Sequence, residues 1–107
     1  MSFDIDQTLK SMTQAMADVL TGEWTKVRAC AERALQDEKQ ALADIAQARI
    51  AGEIDDDEMK SQLADEEEAL TASLLVCKIK ARMAAQTAAN AAIAILAQAT
   101  KAAMRVV

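Results

Sequence analysis

Few side chains in this sequence can do chemistry, and three groups stand out by type or spacing. These are Cys30 with Cys77, the acidic run Asp55, Asp56, Asp57 and Glu58, and the bases Lys78, Lys80 and Arg82. The chain has no His, which removes the commonest general base, the commonest metal ligand and any His-activated nucleophile together. The Glu-x-x-His pairs of di-iron helical bundles are excluded on the same ground. Gly22 and Gly52 are isolated, so no glycine-rich loop can cradle a phosphate. No enzymatic activity, cofactor or metal centre is expected.

Each group has a plain reading beside a sharper one. A Ca²⁺-binding EF-hand loop alternates its ligands around a central Gly, whereas consecutive acids do not converge readily on one ion. Helix capping accounts better for Asp55 to Glu58, with weak cation binding or an acidic partner surface as the sharper readings. On a helix, bases at alternate positions fan out around the axis. With no interleaved aromatic residue and a pI near 4.6, Lys78, Lys80 and Arg82 read as a solvated flank, and nucleic acid is not an expected partner. Cys30 and Cys77 fall at the same level if the chain doubles back near residues 52–55. In a reducing cytosol they are two small buried hydrophobes; a disulfide or redox-sensitive clasp is the alternative.

The elements that must position these groups are helical. Ala supplies 25 of the 107 residues, aromatic residues make up 2%, and there are two Gly and no Pro. Ala loses no side-chain entropy in a helix, and the β-branched and aromatic residues that favour strands are sparse. An all-α chain forming one domain over 1–107 follows.

The turn is the best-specified feature. Gly52 suits the left-handed position that ends a helix. Asp55 is a good N-cap with Glu58 three residues on, the pattern of a capping box, and Ile54 and Met59 are placed for a hydrophobic staple. Asp56, Asp57 and Glu58 put negative charge where the helix dipole favours it. The first helix starts at Ser2 or Asp4 and its apolar stripe runs through Ile5, Leu9, Met12, Met16, Trp24, Val27, Leu35, Leu42 and Ile45, at helical spacing. The stripe slips between Val19 and Trp24, where Gly22 permits a kink, and the prediction is a helix over about 4–51. The second helix is predicted over about 56–105, with a main stripe from Met59 and Leu63 to Val106. A second stripe lies roughly opposite: Leu75, Ile79, Gln86, Ile93, Ala97 and Met104. A helix apolar on two sides is usually buried on two sides, so these six residues are the expected oligomer interface.

A lone two-helix hairpin encloses no core, because each helix has one neighbour. The expected architecture is therefore a long antiparallel helical hairpin that dimerises into a four-helix bundle. Charge is sorted along it. Residues 53–68 hold nine acids against Lys60, whereas residues 69–107 contain five bases and no acid. Helix-terminus electrostatics and solubility explain this plainly; orienting an antiparallel partner is the sharper reading.

Met1 to Gln7 carries two Asp and no base, unlike a secretory signal. The 18 uncharged residues Met83 to Thr100 nearly reach membrane-spanning length, yet Gln86, Thr87, Asn90, Gln98 and Thr100 interrupt an Ala-rich segment that gains little from lipid. A membrane partner is disfavoured and the expected location is cytoplasmic.

The expected function is a non-enzymatic protein-protein interaction module, a scaffold, adaptor or chaperone-like homo-oligomer, with itself or another protein as partner. Two alternatives stay open: a secreted or membrane-active helical hairpin, and a small acidic inhibitor of a basic partner. Trp24 reads as core packing before partner anchor. In size and shape alone the chain resembles the exported helical hairpins of the Trp-x-Gly type; its turn, Ala51-Gly52-Glu53-Ile54-Asp55, lacks that motif.

Overall fold

The turn at Gly52 forms as its residues dictate. Gly52 takes φ 77°, the Gly52 N–H donates to the Arg49 carbonyl at 3.1 Å and the Glu53 N–H to the Ala48 carbonyl at 2.9 Å, which is the paired bonding of a Schellman motif. The capping box closes reciprocally: Glu58 N–H donates to Asp55 Oδ1 at 2.8 Å, and Asp55 N–H donates to Glu58 Oε1 at 3.1 Å. Asp4 caps the first helix, accepting from the Gln7 N–H at 3.2 Å.

Beyond those signals the chain departs from two long arms. The computed structural model describes residues 3–105; Ser2 as a helix start and Val106 on the second stripe lie outside them. Five helices follow in order: α1 (Ile5–Val19), α2 (Trp24–Asp37), α3 (Lys39–Ile50), α4 (Asp56–Val76) and α5 (Arg82–Met104). At about 1.5 Å per residue an unbroken helix over 4–51 would be about 70 Å long, yet the longest dimension is 41 Å.

Two breaks interrupt the predicted first helix and a third the predicted second helix over 56–105. The first, at Leu20 to Glu23, falls where the apolar stripe slips. Glu23 N–H donates to the Leu20 carbonyl at 2.9 Å, and Gly22 needs no left-handed φ there. The second is slight: Glu38 alone leaves helical bonding, its N–H donating to the Leu35 carbonyl at 3.1 Å before Leu42 resumes the ladder from Glu38. The third, residues 77–81, has neither Gly nor Pro. Lys78 sits at φ 67°, a conformation disfavoured for a residue with a Cβ.

The breaks let one chain bury what a hairpin would leave open. α1 folds back and packs along α5, while α4 packs against α3, α2 and α5. α5 buries Ala85, Ala88, Ala89, Ala92, Ile93, Leu96 and Thr100, so most of its Ala-rich stripe is satisfied within the chain. The small side chains let α1 and α4 approach closely. Met12, Met16, Leu35, Leu42, Leu70, Leu74 and Leu96 are fully buried, and Trp24 packs half-buried against this core, as its position on the stripe predicts. Every buried side-chain polar atom among the described residues has a partner; Thr100, for example, donates to the Leu96 carbonyl at 2.8 Å.

Candidate functional site

α2 and α3 run in turn alongside α4 in the opposite direction, and the register set by the Gly52 turn brings distant residues to the same level. Arg49 Nε meets Asp56 Oδ1 at 2.7 Å, Glu38 meets Glu66, and Cys30 meets Cys77. The cysteines form a disulfide with Sγ atoms 2.06 Å apart and Cα atoms 5.6 Å apart. The plain reading of two buried free thiols therefore gives way to the clasp. Nor do the pair share a buried environment, since Cys30 lies on the exposed face of α2 and Cys77 caps α4 nearly buried. Closing a loop between residues 47 apart contributes about 4 kcal/mol on the chain-entropy account.

Asp55, Asp56 and Glu58 are engaged in the capping box and the Arg49 ion pair, so only Asp57 of the acidic run has no bond of this kind among the described residues. Those contacts support the capping reading, and all four residues remain exposed. No group of three or more His, Cys, Asp or Glu is arranged to hold a metal ion among the described residues. The Glu38–Glu66 pair escaped the sequence reading, although both lie at one level of the register. A hydrogen bond to Glu66, then burial, then the charges of Glu66 and Asp37, push the Glu38 carboxyl up to about 7.

The six residues expected at an interface divide. Ile79 is 4% exposed and belongs to the core: the break at 77–81 takes it off the helix and turns it inward, so it cannot serve an interface. Ile93, 6% exposed, belongs to the same core and shows the groove only its edge; Leu75, Gln86, Ala97 and Met104 keep exposed surface and line one face of the α4–α5 pair with it. Ile93, Ala97 and Met104 line a groove of about 550 Å³ toward the Gly52 turn. Leu75 and Gln86 line its continuation toward the other end, and Ala64, Glu67 and Asn90 are common to both stretches.

The groove has a largely apolar floor of Met59, Leu63, Ile93 and Ala97, with Lys60, Glu67 and Lys101 on its rim. Lys60 and Lys101 make no salt bridge within the described residues. Sequence spacing identified α5's half of this face but assigned Met59 and Leu63 to the opposite stripe, because the antiparallel packing angle that joins them is not a property of either helix alone. No family model, no curated protein and no solved structure matches this chain.

Proposed function

We propose that the protein is a non-enzymatic interaction module that associates with a second copy through the α4–α5 groove. The observation that carries this reading is the groove itself: two stretches that share Ala64, Glu67 and Asn90, lined by four exposed or half-buried residues of the expected interface stripe and the edge of Ile93. Its position adds support. α1 is 15 residues long and reaches only part-way along α5's 23, with Asp6 near its start bonded to Lys39 at the head of α3 at 2.7 Å. The half nearest the Gly52 turn therefore has three helices where the other half has four. A helix from another copy would complete it.

Charge favours an antiparallel arrangement of the two copies. The acids Asp65, Glu67 and Glu68 belong to α4, whereas α5 carries Arg82 and Lys101 and no acid. Exposed pairs of this kind contribute little energy but select orientation. Sedimentation velocity tests the proposal. The wild type is expected to sediment as a dimer at micromolar concentration, and Ala94→Glu, on the exposed floor of the groove, to sediment as a monomer with unchanged helical circular dichroism. A monomeric wild type would overturn it.

The disulfide bears on the setting. A bond to an exposed cysteine persists where the surroundings are oxidising and is vulnerable to the thiols of the cytosol. The setting we propose is an oxidising compartment in place of the expected cytoplasm.

A further inference from the structure

The end of the molecule opposite the Gly52 turn carries a surface of which the preceding proposal uses only Arg82. Among the described residues the two most exposed large hydrophobic side chains are Val76, 80% exposed, and Met83, 75% exposed. They close α4 and open α5, on either side of the irregular segment 77–81. That segment turns Ile79 into the core and leaves Lys78 and Lys80 exposed on either side of it, with Arg82 exposed at the first residue of α5. The argument that these bases fan out around a helix axis fails here, because Lys78 and Lys80 are not on a helix. Anchored through Ile79, they share one end of the bundle with two protruding aliphatic side chains.

We infer that this end docks on an anionic lipid surface, with Val76 and Met83 entering the interface and Lys78, Lys80 and Arg82 meeting the headgroups. Spanning a bilayer is a different matter, and no described helix is long and apolar enough for it. Docking requires only protruding apolar groups with bases beside them, the combination that interfacial binding uses. Protruding Val and Met side chains fit lipid better than nucleic acid, whose bases stack on rings. The net charge of −5 is no bar, because the charge is sorted. Asp56 stands at the opposite end of the 21-residue α4 from Val76, about 30 Å away, and Glu68, the last acid of that helix, is about 12 Å from Val76, beyond the screening length of about 8 Å at physiological salt. The nearer carboxylates are Glu23, which accepts from the Lys80 N–H at 3.3 Å, and Glu67 and Glu68, which line the same groove stretch as Arg82.

Vesicle flotation of the full, disulfide-bonded chain tests the inference. Binding is expected to vesicles of phosphatidylcholine mixed with phosphatidylserine and not to phosphatidylcholine alone, and to weaken as salt rises. Replacing Lys78→Gly and Lys80→Ala together, with Arg82 kept, is expected to weaken it about 25-fold, from about fivefold per base. The pair Val76→Ser with Met83→Ser is expected to abolish flotation while leaving circular dichroism unchanged, since both side chains are already in solvent. Absence of phosphatidylserine-dependent flotation overturns the inference, as does flotation indifferent to Val76 and Met83. Equal binding to poly-glutamate, unaffected by Val76→Ser and Met83→Ser, would overturn it in favour of an acidic protein partner. None of these outcomes depends on whether the α4–α5 groove forms a dimer.

Discussion

The two ends of the molecule reverse the chain by different physics. At the Gly52 end, residues within about two helical turns of one another do everything: Gly52 adopts φ 77°, Asp55 and Glu58 cap one another, and Arg49 holds Asp56. At the other end the segment 77–81 has no such chemistry. Ala81 occupies the N-cap of α5 without a side-chain bond, Arg82 places positive charge against the helix dipole, and Lys78 takes a left-handed φ. What holds this end is tertiary: the Cys30–Cys77 bond, buried Ile79 and the Glu23 contact with Lys80. A turn made by local groups forms wherever its sequence goes. One made by distant groups needs the rest of the fold first.

The largest test of this contrast is Cys30→Ser with Cys77→Ser. It is expected to cost about 4 kcal/mol in urea denaturation, and hydrogen exchange should rise around residues 20–31 and 74–85 while protection near 48–60 is kept. A uniform loss of protection would show that the ends are not energetically separate. At the Gly52 end, Asp55→Ala is expected to cost about 1 kcal/mol, and Asp55→Asn much less because Asn also caps; equal costs would break the capping account.

The smallest effect concerns the middle, at Glu38. Its carboxyl is raised from 4.5 to about 7 in the fold, so between these values the native state holds more protons than the unfolded chain. That contribution to stability is complete below about pH 4.5 and is lost as pH rises through 7. Glu38→Gln is expected to flatten the dependence of the urea midpoint on pH across that window. An unchanged slope would remove the pair from the account.

Legibility in the sequence follows the same division. Helical class, the Gly52 turn, the Asp4 cap and the common level of Cys30 and Cys77 were all readable, because each rests on residues close in sequence or on the register those residues set. The break at Leu20 to Glu23 was half-visible as a slipped stripe, since periodicity marks where a stripe shifts but not whether the helix bends or stops. Nothing in residues 77–81 announced a break: helix formers on both sides and no Gly or Pro make the prediction of continuity natural, and burial of Ile79 with the Cys77 bond overrides it. That single miss misplaced Ile79 as an interface residue and Lys78 and Lys80 as a helical flank. The groove was read from α5 alone, so its α4 wall stayed hidden.

The packing of α1 along α5 has a consequence for how the chain is made. These two helices are partners across nearly the whole sequence, and α1 leaves the ribosome well before α5 exists. Until then the buried stripe of α1, with Leu9, Met12 and Met16, has only α2 and the head of α3 to lean on. Closing so long a loop slows folding relative to helical bundles that join sequence neighbours, and an apolar stripe left waiting is a surface that holding chaperones recognise. The same choice that completes the core within one chain makes nascent α1 the segment most exposed to misassembly.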